Sequence, residues 1–212
     1  MATLHPRLTV LDHPLVDHKL ARLRAQETDP PEFRRLVREL AALLAWPLFA
    51  DLPREDVAVT TPMEATTCRR IAGPVTLVPV LRAGLGLLEG LHDLLPEARV
   101  GHIGLQRDEE TAEPSTYYTR LPTDIGEGST VLVDPMLATG GSCEAALGIL
   151  RDHGCERLSL ACLVAAPEGV ARLGESFPDV PIVTAALDRQ LNEKAYILPG
   201  LGDAGDRIFG TL

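Results

Sequence analysis

Lysine is nearly missing from this chain. Lys19 and Lys194 are the only lysines among 20 basic residues, in a 212-residue sequence with a net charge of −10. A surface that grips a nucleic-acid backbone relies on clustered basic side chains, so this balance argues against a general nucleic-acid binder. It leaves room for a small phosphorylated substrate held by a few arginines. Cysteine is scarce too. Cys68, Cys143, Cys155 and Cys162 form no C-x-x-C pair and show no zinc-ligand spacing, so they read as reduced thiols that mostly fill core. No apolar run approaches the roughly 18 residues that span a membrane. The first residues, Met1 to Arg7, lack the apolar centre of a signal peptide, which sets the expectation of a cytoplasmic protein. There is no Walker A lysine and no G-x-S-x-G, which excludes a P-loop kinase and gives no sign of a hydrolase triad.

What is present is an alternation of short apolar runs with amphipathic stretches. Two helices are expected first: His13 to Gln26, with Pro14 near its first turn, and a second opened by Asp29-Pro30-Pro31. In the second, Phe33, Leu36, Val37, Leu40, Leu43 and Leu44 keep a 3.6-residue period, and no strand is expected before these helices. Val57 to Ile71 reads as a β-hairpin of mixed polarity, an arm fit for a lid or a dimer contact. Strands are then expected over 75–80, 99–105, 129–134, 158–165 and 181–185, with helices over 84–95, 139–153 and 168–176. Such alternation predicts an α/β fold, a parallel sheet covered by helices on both faces, with ligands beyond the strands' carboxyl ends. Gln106 to Pro122 is expected to be a long polar loop, and the glycine-rich end from Asn192 onward to fold back on the body.

The chemistry centres on Asp134-Pro135-Met136-Leu137-Ala138-Thr139-Gly140-Gly141-Ser142. An acid ends a buried strand there, and two glycines and two hydroxyls lead into a helix. Backbone N–H groups at such a turn gather round an anion, so the segment reads as a cradle for a sugar phosphate. Arg82 follows another strand in Leu81-Arg82-Ala83-Gly84-Leu85-Gly86, and Arg107 stands at a third strand end. Two arginines converging on one edge suit a polyanionic group. Asp108-Glu109-Glu110 has the composition of a metal site, but three adjacent acids in a loop are more often a solvated face. Gly200-Leu-Gly-Asp-Ala-Gly205 copies the dinucleotide fingerprint letter for letter, yet no strand precedes it and no acid follows at the right distance. Its glycines are better read as freeing backbone groups to face a ligand.

With these residues assembled, the chain resembles the uracil phosphoribosyltransferases over almost its whole length. The likeness rests on His13-Pro-Leu-Val, Leu81-Arg-Ala-Gly-Leu-Gly, Arg107-Asp-Glu-Glu-Thr, Val133-Asp-Pro-Met-Leu-Ala-Thr-Gly-Gly-Ser, Leu163-Val-Ala-Ala-Pro-Glu-Gly, Leu191-Asn-Glu and Pro199-Gly-Leu-Gly-Asp-Ala-Gly-Asp-Arg-Ile-Phe-Gly-Thr. One departure is Gln106, where the family pattern has an aromatic. The resemblance implies a Rossmann-like phosphoribosyltransferase core as one domain over 1–212. It also implies an N-terminal helical layer, a β-hairpin arm at 57–71, a flexible loop at 106–122 and a uracil-binding hood at 186–212.

It further implies transfer of phosphoribose from 5-phosphoribosyl 1-pyrophosphate (PRPP) to uracil, giving UMP and diphosphate, with Mg²⁺ held mainly through PRPP and water. The PRPP-binding residues it implies are Arg82, Arg107, Asp134 to Ser142 and Asp203. Uracil would meet Ile197, Gly202, Asp203 and Ala204, with Arg107, Asp134 and Asp203 closest to the chemistry. GTP is a candidate activator by the same likeness, and a homodimer or larger homo-oligomer is expected, without nucleic-acid or membrane partners. A pyrimidine-sensing RNA-binding regulator on the same fold is the competing reading from another class, and the acidic charge weighs against it. A purine or orotate phosphoribosyltransferase would share the phosphate turn but not the Gly200–Gly205 loop.

Overall fold

A strand that the sequence pattern concealed begins the fold. The computed structural model describes residues 5–107 and 114–211. β1 (Leu8–Val10) comes before both helices, α1 (Pro14–Arg24) and α2 (Pro30–Leu48), which corrects the expectation that no strand precedes them. Three residues are too few to display an alternation, and this strand exists through its parallel pairing with Ile182 to Thr184 near the far end of the chain. The helices start where the local chemistry says they should. The His13 ring accepts the Leu15 N–H at 3.1 Å, and the Asp29 carboxylate accepts the Glu32 N–H at 2.9 Å. A carboxylate cap such as Asp29 contributes about 1 kcal/mol. In α2 the predicted stripe is fully buried at Phe33, Leu36, Val37, Leu40 and Leu44, while Leu43 is only partly covered.

β2 (Arg54–Thr60) and β3 (Ala65–Ile71) form an antiparallel hairpin with nearly every residue exposed. The wound core follows: β4 (Val75–Leu81), α3 (Gly84–Leu94), β5 (Arg99–Val100), β6 (His102–Arg107), β7 (Pro114–Arg120) and β8 (Ser129–Val133). It continues through β9 (Met136–Leu137), α4 (Gly141–Asp152), β10 (Arg157–Ala165), α5 (Pro167–Ser176) and β11 (Ile182–Leu187). The chain ends in β12 (Gln190–Leu191), β13 (Ile197–Leu198) and α6 (Ala204–Phe209).

The main sheet has the order β1-β11-β10-β8-β4-β6-β7, with β5 on β4 and β9 on β10. Its neighbours are parallel except β6 and β7, which are antiparallel. The stretch 106–122, expected as a long loop, is therefore in large part a β-ribbon. Backbone hydrogen bonds at a sheet edge need no apolar side chains, so its polarity hid the strand. Residues 108–113, and with them the acidic run Asp108–Glu110, lie outside the described residues.

Two cores flank the sheet, because alternate side chains of each buried strand point to opposite faces. Leu77, Val131, Val133, Ala161 and Leu163 pack with α1, α2 and α3, while Val78, Leu132, Leu160 and Cys162 pack with α4 and α5. From β4 the chain winds outward to β6 and returns on the other side at β8. That reversal opens a crevice between the carboxyl ends of β4 and β8, where ligands of such sheets settle. Among the described residues no helix is long and apolar enough to cross a membrane.

Candidate active site

β8 ends at Val133 because Pro135 has no N–H to offer the ladder. Asp134 still donates its own N–H to the Ala161 carbonyl at 3.1 Å, and the Pro135 carbonyl accepts from Leu163 and Val164 at 3.0 and 3.1 Å. The strand resumes as β9 one step later, and the break turns the Asp134 side chain out at the carboxyl edge. There the carboxylate accepts the Met136 N–H at 3.2 Å and the Cys143 thiol at 3.7 Å. Loss of water around the carboxylate is the larger influence and pushes its pKa up to about 6, the two hydrogen bonds opposing it.

The turn that follows depends on two glycines. Gly140, at φ +81°, opens α4 in the left-handed region, and a Cβ there would lie 3.0 Å from the Gly169 carbonyl. Gly169, in α5, lies so close that its own Cβ would stand 2.4 Å from the Ala138 carbonyl. The helix behind is thus pressed directly onto the turn. The Gly141 N–H faces the Thr139 hydroxyl at 3.5 Å. Arg172 sits beside the turn, held by Glu144 at 2.6 Å.

A cavity of about 400 Å³ opens at this edge. One wall is Ala83, Asp134, Met136 and Ala138, and the other is the C-terminal segment from Lys194 to Ile197 and from Gly202 to Gly205. A larger cleft, about 610 Å³, lies at the opposite edge by Ser129, Arg157 and Pro181, the amino ends of strands, where this architecture does not place its chemistry. Of the residues singled out in the sequence, Asp134, Met136, Ala138, Ile197, Gly202, Asp203 and Ala204 line the one cavity. Thr139 to Ser142 continue from its wall into the start of α4. Pro135 and Leu137 are buried and do not line the cavity, their carbonyls being taken by Leu163, Val164 and Ala166. Arg82 does not line the cavity: its guanidinium stands 3.8 Å from Asp206 and 6.0 Å over the Phe209 ring. Arg107 ends β6, and its side chain lies outside the described residues. Asp203 caps α6 by accepting the Asp206 N–H at 3.0 Å, which engages one carboxylate oxygen.

Lys194 and Tyr196 on the cavity wall were missed. They belong to the short β12–β13 hairpin, whose two-residue strands leave no periodic trace. Arg24 and Asp188 were missed as well. The Arg24 guanidinium grips both Asp188 oxygens at 2.7 Å and donates to the Gly200 carbonyl at 2.8 Å, while Asp188 accepts the Gly200 N–H at 2.8 Å. A signal did exist for Asp188, since it directly follows β11 and so is a strand-terminal acid like Asp134. Arg207 adds a second tie, donating to the Leu201 carbonyl at 2.9 Å and the Ala25 carbonyl at 2.6 Å while lying 4.4 Å over the Phe33 ring.

A doubly wound parallel sheet, an acid ending its central strand and a glycine turn at a helix start define the phosphoribosyltransferase class. The adenine phosphoribosyl transferase of Trypanosoma brucei shares the fold at a TM-score of 0.57 and 17% identity, covering 93% of this chain and 89% of that one. The AQ2163 protein of Aquifex aeolicus is far nearer, at a TM-score of 0.90 and 39% identity over 95% of this chain and 97% of that one. The uracil phosphoribosyltransferase of Symbiobacterium thermophilum is 55% identical over 97% of this chain and 99% of its own length, and that of Halalkalibacterium halodurans is 52% identical over the same shares. The family profile for uracil phosphoribosyltransferase matches residues 10–211, and the chain belongs to that family.

Proposed function

We propose that this enzyme transfers the 5-phosphoribosyl group of PRPP to N1 of uracil, giving UMP and diphosphate. The observation that carries the reading is the cavity with two unlike walls, an acid and strand-end turn at Asp134–Ala138 and a glycine-bearing loop at Ile197–Ala204. The N–H groups of Ala138 to Ser142 and the hydroxyls of Thr139 and Ser142 hold the 5′-phosphate at the start of α4. Ionised Asp134 accepts hydrogen bonds from the ribose hydroxyls and fixes the ring for attack. As the C1–O bond breaks, the sugar becomes oxocarbenium-like and the departing diphosphate gains negative charge. Arg82 and Arg107 meet that charge, Arg82 by leaving its loose contact with Asp206. Uracil N1 closes on the opposite face of C1, inverting it.

The Asp203 carboxylate on the cavity wall is a donor that would meet a Mg²⁺ carried mainly by PRPP and water, an ion that keeps several waters and takes one or two carboxylates together with substrate phosphates. The ion would supply charge neutralisation for the diphosphate. Uracil presents acceptor, donor, acceptor along O2, N3–H and O4, and backbone groups at Ile197, Gly202 and Ala204 answer that order. Cytosine reverses two of those positions and would leave buried groups unpaired, a mismatch that costs on the order of 10⁴ in kcat/KM. Diphosphate release with PRPP and Mg²⁺ is expected with uracil and not with cytosine, hypoxanthine or orotate; equal turnover of any of these overturns the assignment.

A homo-oligomer accords with the β2–β3 hairpin that stands off the body, and with the apolar hollow of about 690 Å³ beside it, lined by Trp46, Phe49, Ile71 and Leu94. Trp46 is 88% exposed in the single chain, and a second copy is the occupant we assign. A monomer mass at micromolar concentration in light scattering would refute this. GTP as an activator rests on the resemblance alone, and an unchanged rate on its addition removes it. A cytoplasmic location belongs to the same reading, and fractionation of the host cell tests it.

A further inference from the structure

The geometry points to Arg24 and Asp188 as positioning residues that set the shape of the base-selecting loop; this rests on the reading that Ile197–Ala204 meets uracil. Arg24 ends α1 and Asp188 follows β11, so the pair ties an outer helix to the sheet edge. Its side chains are 22% and 6% exposed, and Arg24 reaches both carboxylate oxygens at 2.7 Å. More telling is what the pair does to Gly200. Its N–H donates to Asp188 at 2.8 Å, and its carbonyl accepts from Arg24 at 2.8 Å. Both backbone polar groups of one residue are therefore locked by one ionic unit.

Gly200, at φ +63°, is where the chain turns toward Gly202 and Ala204, and a Cβ there would lie 2.1 Å from the Ile197 carbonyl. A buried ion pair is a weak device for stability, because apolar residues of similar volume often serve as well. It is a strong device for geometry, since a bidentate guanidinium fork admits one orientation. Neither side chain lines the cavity, so the effect reaches the base only through the loop's backbone.

Steady-state kinetics on Arg24→Met, Arg24→Lys and Asp188→Asn, with Ala204→Val as a reference, test this. Loss of a charged hydrogen bond corresponds to about tenfold or more, so the KM for uracil is expected to rise by about that factor in Arg24→Met and Asp188→Asn. The KM for PRPP should rise by less than that factor, because Asp134 to Ser142 are untouched and only Asp203 stands on the loop. Discrimination against cytosine should fall with it, and Arg24→Lys, a single point donor, should restore part of the loss. Equal rises in both KM values, or a fall in kcat alone, would reduce the pair to a fold-stabilising contact. If Ala204→Val raises the uracil KM and the clamp variants do not, the clamp is overturned and the loop reading stands. If none of them moves it, both fall. Should Arg24→Met not fold, Asp188→Asn, which keeps an acceptor for Gly200, carries the test with its melting temperature measured alongside.

Discussion

The two walls of the cavity are built in opposite ways. Asp134 to Ser142 is continuous in sequence: strand, proline break, glycine turn and helix follow one another, with β10 and α5 packed against them from behind. Ile197 to Gly205 has no regular structure beyond the two residues of β13 and the start of a short helix. It takes its shape from Arg24, 176 residues from Gly200, and from the Arg207 ties to Ala25 and Thr28. Arg34 adds a third, reaching the Ile208 carbonyl at 2.8 Å. The wall assigned to the shared substrate end is thus built from consecutive elements packed on their sheet neighbours, and the wall assigned to base choice is held by a few long arginine ties.

That contrast should break most sharply at Gly169. A valine there would drive its Cβ into the Ala138 carbonyl at 2.4 Å, backbone that cannot step aside. Gly169→Val should abolish PRPP binding at millimolar concentration and cost about 1–3 kcal/mol of stability as an overpacked contact. Calorimetric titration and a denaturant melt read both, and intact PRPP binding would show the turn to be softer than described.

A smaller effect is expected at Asp134. Asp134→Asn should raise the KM for PRPP by about tenfold, the value of a charged hydrogen bond, and leave uracil binding intact. The pH dependence follows from the raised pKa of about 6. On the proposed role the ionised carboxylate is the form that takes the ribose hydroxyls, so wild-type kcat/KM for PRPP should fall more steeply than that of the variant as pH drops through about 6. For stability the sign is opposite. The folded state holds this proton more tightly than the unfolded chain, so Asp134 opposes folding increasingly as pH rises from about 4 to about 6. The melting temperature of Asp134→Asn should gain on wild type over that interval; a constant gap would place the carboxylate in water.

The smallest change lies outside both walls. Gly148 sits inside α4, and a Cβ there would meet nothing within 4 Å. Gly148→Ala should stabilise the protein by about 0.5–1 kcal/mol and leave both KM values unchanged, since it stiffens the helix without moving its start. A changed PRPP KM would mean that the turn responds to the helix body.

The same contrast explains what can be read from the chain. The buried strands and the Asp134–Ser142 turn are legible as structure because β-branched runs, strand-end acids and glycine turns act over a few residues. β1, β12 and β13 are not, since two or three residues carry no period and their pairing is remote or irregular. Pro114 to Arg120 reads as loop because an edge strand needs only backbone partners. The Arg24–Asp188 pair spans 164 residues, and no spacing rule links them, although the strand-end position of Asp188 offers half of the answer. Arg82 shows the converse: its place at the end of β4 follows from the sequence, but its lean toward Asp206 and Phe209 depends on α6 folding back from the far terminus.

The claim that the cavity divides its labour between two walls is tested most directly by calorimetric titration of Ala204→Val with PRPP and Mg²⁺, followed by uracil kinetics on the same sample. The account predicts a PRPP dissociation constant within about twofold of wild type and a uracil KM raised by about tenfold or more. A PRPP affinity that falls in step with uracil would contradict it, because the two walls would then be one site.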